Sequence, residues 1–156
     1  MKRVVVLGRG GAGKSTASVH LGQLTGLPVI ELDALFWQPG LAATPTAEWC
    51  QVQHTLAAAD AWIMDGDLGP YDVLAPRLTR ATTVVILDFS LFRCAWRVAR
   101  RSREGLVFWR WLLTWRRRSR PIVLDAVARY AANADLHILS TPRELRHFLT
   151  TAATQG

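Results

Sequence analysis

The chain has 156 residues, half of them apolar, which suits one compact domain with a single core. No stretch approaches the roughly 18 consecutive apolar residues of a membrane span, and the first residues lack the pattern of a signal peptide, so we expect a cytoplasmic protein without a membrane span. Cys50 and Cys94 have no CxxC partner and no nearby histidine cluster, which argues against a disulfide scaffold or a zinc site.

The formal net charge of +7 is concentrated in one segment. Ten arginines fall between Arg93 and Arg120, where Glu104 is the single acid. Such a block predicts a polyanionic partner: the phosphates of a small nucleotide, a nucleic acid backbone or an anionic membrane surface. Composition alone does not decide among these three.

The first half of the chain alternates strand and helix patterns. Val4 to Leu7 is apolar without alternation, which is typical of a strand buried on both faces of a parallel sheet. Thr44 and Pro45 form a plausible N-cap and first turn. The predicted elements after the first strand are a helix from Lys14 to Leu24, a strand from Pro28 to Leu32, a helix from Thr44 to the alanines before Asp60, and a strand from Ala61 to Met64.

The second half continues the alternation. The predicted elements are a strand at Thr82 to Leu87, helices at Ser90 to Arg103 and Ile122 to Ala132, a strand at Leu136 to Leu139, and a last helix that opens with a capping box of Thr141 and Glu144. No repeat or linker divides the chain. We therefore predict a single domain over residues 1 to 156 with a doubly wound α/β fold.

A glycine-rich loop separates the first strand from the first helix and satisfies the pattern GxxxxGK[ST]. Glycines allow successive N–H groups to surround a phosphate, and the helix N-terminus adds its positive dipole end. Lys14 would reach the β and γ phosphates, and the Ser15 hydroxyl would bind Mg²⁺. The predicted nucleotide-binding residues are Gly8, Gly10, Gly11, Ala12, Gly13, Lys14, Ser15 and Thr16.

A second glycine pattern overlaps the first. Gly8, Gly10 and Gly13 also match the dinucleotide fingerprint GxGxxG, and Glu31 lies near the position of a ribose-binding acid. A dinucleotide fold has no use for Lys14 followed by Ser15, and the arginine block suits a triphosphate better. The sequence therefore favours the phosphate loop.

Acids follow three of the predicted strands, at the sheet edge where α/β proteins bind ligands. Asp65 suits a carboxylate that holds Mg²⁺ through water, and Asp33 suits one that orients an acceptor hydroxyl. Asp88 follows the fourth strand, but Ser90 begins a helix directly after it. Each of these acids could instead cap the next helix or turn.

The chain resembles the adenylate-kinase-like P-loop kinases, and within them the small bacterial group called topology modulation proteins. The resemblance covers nearly the whole length. Besides the phosphate loop it rests on Leu27 to Ile30, Leu32 to Gly40, Pro45 with Glu48 and Trp49, Trp62 to Gly66, and Trp115 to Pro121. It implies a three-layer sandwich around a five-stranded parallel sheet of order 2-3-1-4-5.

The resemblance also implies an activity: a kinase that transfers the γ-phosphoryl group of Mg-ATP to a nucleotide, a nucleoside or another small acceptor. Arg97 and Arg101 follow Asp88 at the family's spacing and would stabilise the transferring group from one stem of a lid, with Arg118 or Arg120 on the other stem. The residues assigned to the acceptor are Asp33, Trp37, Gly66 and Arg77.

Two departures from the family stand out. The arginine-rich lid, at about residues 103 to 117, is short and lacks an acidic or glycine-rich tip. Asp67 occupies a position where similar sequences often carry Asn. The first departure concerns lid closure, and the second concerns the identity of the acceptor.

Other interpretations stay open. The Arg93 to Arg120 block could serve an ATP-dependent nucleic-acid-binding protein, and the aromatic run from Phe108 to Trp115 could lie at a membrane surface. A DNA-binding ATPase has no need of an acceptor pocket at Asp33 and Trp37, so the kinase is favoured. Trp37, Trp62 and Trp96 are expected in the core or a pocket wall, with Trp37 able to stack on an acceptor ring. The oligomeric state is open.

Overall fold

The computed structural model describes residues 1–40, 42–101 and 105–155. Its strands are β1 (Arg3–Gly8), β2 (Val29–Glu31), β3 (Trp37–Gln38), β4 (Ala42–Ala43), β5 (Trp62–Asp65), β6 (Thr83–Leu87) and β7 (Asp135–Leu139). Its helices are α1 (Lys14–Thr25), α2 (Leu32–Phe36), α3 (Thr46–Ala57), α4 (Ala75–Arg80), α5 (Leu91–Arg101), α6 (Leu106–Tyr130) and α7 (Pro142–Gln155), with a 3₁₀ turn at Gly69–Tyr71.

Five strands form one parallel sheet in the order β2-β5-β1-β6-β7. Numbered among themselves along the chain, these strands run 2-3-1-4-5, as predicted; the small antiparallel hairpin β3–β4 lies outside the sheet. β1 is the central strand, and Val5 pairs with Met64 on one side and Val84 on the other. Its uniformly apolar sequence is explained by burial on both faces.

Helices cover both faces of the sheet, so the predicted three-layer α/β sandwich is confirmed. One core, beneath α3, α4 and α6, contains the buried side chains of Trp49, Trp62 and Trp115. The other core, beneath α1 and α7, contains Leu21 and Phe148. Both cores reach the carboxyl ends of the strands, where the loops meet.

The segment after β2 differs from the prediction. The strand ends at Glu31, and α2 and the β3–β4 hairpin follow. Thr44 was expected to cap α3, but both its hydroxyl and its backbone N–H donate to the carbonyl of Phe36, and Pro45 occupies the cap position. Thr44 therefore closes the hairpin. The short α4 was also not predicted.

The longest helix, α6, has 25 residues and passes through Pro121. The sequence predicted only its last part, from Ile122. Proline in a helix costs about 3 kcal/mol, but a stripe at helical spacing, Leu112, Trp115, Val123 and Val127, is buried. Each such side chain contributes about 1.5 to 3 kcal/mol, so packing outweighs the proline. Residues 106–117 of the predicted lid are thus helical, and residues 102–104 lie outside the described part of the chain.

The structure also bears on the predictions for the start of α7, for the two cysteines and for membrane spans. The capping box is confirmed, because the N–H of Glu144 donates to the Thr141 hydroxyl at 3.2 Å and its carboxylate accepts from the N–H of Ser140 at 2.7 Å. Cys50 and Cys94 are free thiols. None of the helices in the described ranges combines the length and apolarity needed to cross a membrane.

Candidate active site

The loop predicted to bind phosphate, called the phosphate loop below, lies between the end of β1 and the start of α1. Gly13 is the N-cap of α1 with φ 91°, a left-handed conformation that favours glycine. The Nζ of Lys14 donates to the carbonyl of Gly8 at 3.0 Å and approaches that of Arg9 at 3.5 Å. The ammonium group is therefore held across the loop, beside the N-terminus of α1, where backbone N–H groups favour an anion.

Aromatic residues of α6 cover the outer side of this loop. A Cβ at Gly10 would lie 2.6 Å from Cζ of Phe108 and 2.8 Å from Cζ3 of Trp111. The glycine is needed because the rings approach its backbone so closely. Phe108 and Trp111, which a membrane-surface interpretation would place in lipid, instead pack on the phosphate loop.

Arg9 is a buried member of the loop whose role sequence reasoning missed. Arg9 is 2% exposed, and its guanidinium lies 5.7 Å from the ring centroid of Trp115. Burial lowers its pKa, and the positive charge of Arg116 adds to this, while Cys94 and Asp88 oppose it. Its Nε and Nη1 find no hydrogen-bond partner among the described residues.

Asp33 follows β2 and Asp65 is the last residue of β5, and both lie at one corner of the sheet, because these strands pair with Glu31 opposite Asp65. Asp65 is 3% exposed, and burial raises its pKa, while Lys14 and a hydrogen bond with Ser15 lower it. Its Oδ1 has no partner among the described residues. A hydroxyl beside a buried carboxylate with a spare oxygen fits Mg²⁺, a hard cation that is bound through one or two carboxylates and waters.

Asp33 lies in the first turn of α2, which begins directly after β2. It reaches solvent, but the surrounding protein desolvates it and raises its pKa. Lys14 opposes the shift, and the charges of Asp65, Asp72 and Asp67 add to it. A carboxylate of raised pKa is a stronger base, which suits a residue that accepts a proton from a hydroxyl.

Two exposed aromatic rings lie next to α2. Trp37 is 39% exposed and Tyr71 is 50% exposed, and their ring centroids are 5.9 Å apart. Phe36 packs against both rings from the buried side. Trp37 is therefore part of an open wall and not of the core. Tyr71 has no local signal in the sequence, since only the hairpin and the 3₁₀ turn bring it to Trp37.

Arg77, assigned to the acceptor from sequence, is fully buried within an ion pair. Its Nη atoms donate to the two carboxylate oxygens of Asp72 at 2.8 and 2.6 Å, to Gln53 at 2.5 Å and to the carbonyl of Gly66 at 3.2 Å. Burial alone would raise the pKa of Asp72, but the charge and hydrogen bonds of Arg77 bring it below its ordinary value. These bonds fasten the loop that contains Gly66.

Arg97 lies against the phosphate loop. Its Nη1 is 3.4 Å from the carbonyl of Ala12, and a Cβ at Gly13 would lie 2.8 Å from the same nitrogen. The arginine thus lies beside the start of α1, on the side that α5 covers. The side chain of Arg101, assigned to the same lid stem, lies outside the described residues.

Asp88, at the end of β6, binds two arginines of α6. Its Oδ1 accepts from Nε of Arg116 and its Oδ2 from Nε of Arg120, both at 3.0 Å. Arg116 and Arg120 are four residues apart and share a helix face, whereas Arg118 is exposed on another face. The sequence predicted neither the ion pair between Arg120 and Asp88 nor the one between Arg116 and Asp88.

Solved structures of small-molecule kinases share this fold. The shikimate kinase from Acinetobacter baumannii, in complex with shikimate, is 17% identical, with a TM-score of 0.67 over 99% of this chain and 92% of that one. The gluconokinase from Sinorhizobium meliloti is 20% identical, with a TM-score of 0.57 over 99% and 94%. The deoxyadenosine kinase from M. mycoides, with bound dATP, is 13% identical, with a TM-score of 0.53 over 97% and 98%.

The chain shares its fold with these three kinases. No protein-family model matches it, and no curated protein matches it in sequence. The narrower resemblance to the topology modulation group therefore stays a prediction.

One further exposed surface lies on α5. Phe92 is 87% exposed and Trp96 is 66% exposed, and with Arg93 and Arg97 they line an open cavity of about 470 Å³. The guanidinium of Arg100 lies 5.6 Å from the ring of Trp96. Of the tryptophans expected in the core or a pocket wall, Trp62 is buried, whereas Trp96 lines this open surface.

Proposed function

We propose that the chain is an ATP-dependent phosphotransferase that moves the γ-phosphoryl group to a nucleotide, a nucleoside or another small acceptor. One observation carries the proposal. Lys14 lies across a glycine loop at the end of β1, and the neighbouring strands β5 and β2 bring Asp65 and Asp33 to the same edge of the sheet, with Val6 opposite Asp65 and Glu31 opposite Asp65 on its other side. This arrangement supports a site in which a phosphate-binding loop and an acceptor carboxylate would face each other at one edge of the sheet.

The phosphate side would use the loop from Gly8 to Ser15 together with Thr16. Its backbone N–H groups and Lys14 would bind the β and γ phosphates. Ser15 and Asp65 would hold Mg²⁺, the latter through water. The metal would supply neutralisation of the charge on the phosphate oxygens.

The transfer step would begin at the acceptor hydroxyl. Its oxygen forms a bond to the γ-phosphorus, the bond from that phosphorus to the β,γ-bridging oxygen breaks, and ADP leaves. The hydroxyl proton passes to a carboxylate oxygen of Asp33. Arg97, beside the loop, would stabilise charge on the transferring group.

The remaining arginines would complete the lid. Asp88 holds Arg116 and Arg120 at the end of β6, so we propose that these residues orient α6 over the phosphates. Arg118 and Arg101 keep the lid roles that the resemblance implies. Arg77 would act indirectly, by holding the loop of Gly66 and Asp72 in place.

A second candidate function rests on α5. Exposed Phe92 and Trp96 among arginines are the combination that proteins use to stack single-stranded bases and to bind their phosphates. An ATP-dependent nucleic-acid-binding protein would use this surface and the rest of the Arg93 to Arg120 block.

A phosphoryl-transfer screen tests the first function. The protein is incubated with Mg-ATP labelled at the γ-phosphate and with nucleosides, nucleotides, sugars and amino sugars in turn. Labelled product that disappears with Lys14→Ala supports a kinase. Absence of labelled product from every acceptor, together with ATP-dependent binding of single-stranded DNA, would favour the second function.

A further inference from the structure

The carboxylates near Asp33 form one cluster, which we call the acceptor corner and define as Asp33, Asp65, Asp67 and Asp72. Three contacts bring it together. β2 and β5 pair with Glu31 opposite Asp65. A Cβ at Gly66 would lie 2.9 Å from Cβ of Leu32, and the Trp37 and Tyr71 rings are 5.9 Å apart. The start of α2 and the loop after β5 therefore face the same space.

The negative charge of the acceptor corner is only partly balanced. Arg77 neutralises Asp72, with which it is buried. Asp67 is also buried, yet its oxygens accept from the N–H of Gly69 at 3.1 Å and the indole of Trp115 at 3.0 Å, which are neutral donors. Within the described ranges, Lys14 is the one cation that lowers the pKa of Asp33.

The cations of the site lie on its other side. Arg97 contacts the phosphate loop at Ala12, and Arg116 and Arg120 bind Asp88 at the end of β6. β6 pairs with β1 on the side opposite to β5. The charges of the site are therefore polarised, with arginines on the β6 side and carboxylates on the β2 side; a triphosphate on the loop would face the first half, and an acceptor beside Asp33 would face the second.

Charge repulsion makes this polarity selective. A bound Mg-ATP carries a net negative charge, so it adds to the negative potential that an acceptor meets. An acceptor with a phosphate or carboxylate would place a like charge several ångströms from Asp33 and Asp67. At an intermediate effective dielectric this weakens binding by roughly tenfold to a hundredfold.

From this polarity we infer that the acceptor is an uncharged or cationic hydroxyl compound with a flat or apolar face, and not a nucleoside monophosphate or a sugar acid. The inference rests on the proposed kinase function. Trp37 and Tyr71 supply a wall on which such a face packs, while Asp33 accepts a hydrogen bond from the hydroxyl. Asp65, at the same corner, would be engaged by Mg²⁺, so the uncompensated carboxylates that the acceptor meets are those of Asp33 and Asp67.

The test uses acceptors that differ mainly in charge: adenosine against AMP, and glucosamine and glucose against gluconate. The kcat/KM of each is measured with Mg-ATP, and its Kd is measured by calorimetry with a non-hydrolysable ATP analogue. We expect the neutral or cationic member to exceed its anionic counterpart by at least about tenfold in both quantities.

Three variants, one of them a control, test what causes the discrimination. Asp67→Asn removes one uncompensated charge while nearly preserving the size of the side chain, although its amide nitrogen cannot accept one of the two hydrogen bonds that the carboxylate accepts. It should reduce the discrimination against the anion by about tenfold, measured at a temperature where the variant is folded. Asp125→Asn, the matched control, neutralises an exposed acid of α6 that pairs with Arg129, and it should leave the ratio unchanged. Trp37→Ala should weaken the binding of adenosine more than the binding of glucosamine.

The outcomes separate the inference from the function beneath it. Efficient phosphorylation of AMP or gluconate over its neutral counterpart would overturn the inference and leave the kinase intact. If no compound is phosphorylated, the kinase fails, and the Kd values still decide the charge preference of the acceptor corner. Equal Kd values for neutral and anionic members, or the absence of binding by either, would overturn the inference as well.

Discussion

The indole N–H of Trp115 donates to Oδ2 of Asp67 at 3.0 Å, and both residues are buried. The ring of Trp115 also lies under the guanidinium of Arg9, 5.7 Å from its centroid. One side chain of α6 therefore contacts both the loop after β5 and the phosphate loop. Any movement of α6 as a lid would act on both.

Trp115→Phe should destabilise the protein. The variant keeps much of the buried apolar area but leaves a carboxylate oxygen of Asp67 without its donor, which costs about 1 to 3 kcal/mol. The free energy of unfolding in urea measures the effect. Trp109→Phe, on the same helix, is the control and should lose less. Equal losses in the two variants would show that the hydrogen bond to Asp67 is unimportant.

Lys14→Ala should weaken ATP binding without unfolding the protein. The ammonium makes charge-assisted hydrogen bonds to phosphate, and the loss of about 1.5 to 3 kcal/mol corresponds to roughly 10- to 100-fold in Kd. Calorimetry with ATP measures it. Lys2→Ala is the control, because Lys2 is the other lysine and is exposed at the terminus. Unchanged affinity in folded Lys14→Ala would refute the phosphate-loop assignment.

Asp33→Asn should reduce phosphoryl transfer by about 10² to 10⁴ while ATP binding persists, because a general base is lost. The pKa of Asp33 is raised by desolvation, so wild-type kcat should fall as the pH drops through that raised value, and the variant should lack this acid limb. A raised pKa also means that the ionised form destabilises the fold at neutral pH. The difference in Tm between the variant and the wild type should therefore be more favourable to the variant at pH 7 than at acid pH. Parallel loss of ATP binding and turnover would contradict the assignment.

Arg77→Met should destabilise the protein by about 3 to 5 kcal/mol, since it leaves Asp72 buried without its partner. Arg77→Met combined with Asp72→Leu should recover much of this loss. The pKa of Asp72 is held below its ordinary value, so wild-type stability should fall as the pH drops through that lowered value. Urea unfolding of the single and double variants gives the coupling energy. A stable Arg77→Met with a raised acceptor KM alone would show direct acceptor binding instead.

Arg97→Ala should lower turnover far more than Arg129→Ala does, because Arg97 lies at the phosphate loop and Arg129 in an exposed pair on α6. Comparable arginines contribute about 10³ to 10⁵ in rate elsewhere. In a nucleic-acid-binding protein, Arg97→Ala and Arg116→Ala would instead weaken DNA binding by similar amounts, with affinity falling steeply with salt. Turnover and DNA binding across a salt series separate the two functions. Equal turnover in Arg97→Ala and Arg129→Ala would exclude a lid role for Arg97.

Local sequence predicted the sheet, which the structure confirms, and the glycine loop between β1 and α1. The unbroken apolar run of β1 predicts a strand buried on both faces, and the glycines before Lys14 predict a phosphate-binding turn, since both depend on neighbours along the chain. Asp33 and Asp65 could be placed at the ligand edge for the same reason: parallel strands end together. The layered sandwich followed from the alternation of elements.

The tertiary structure decided what depends on residues far apart in sequence. α6 continues through Pro121 because its apolar stripe is buried against the sheet, and local propensity at a proline predicts the opposite. Arg77 forms an ion pair with Asp72, and Asp88 forms ion pairs with Arg116 and Arg120. The guanidinium of Arg9 lies over the ring of Trp115. In the sequence these arginines are equivalent charges, because an ion pair is specified by the distance and burial of its partner, which only the folded chain establishes.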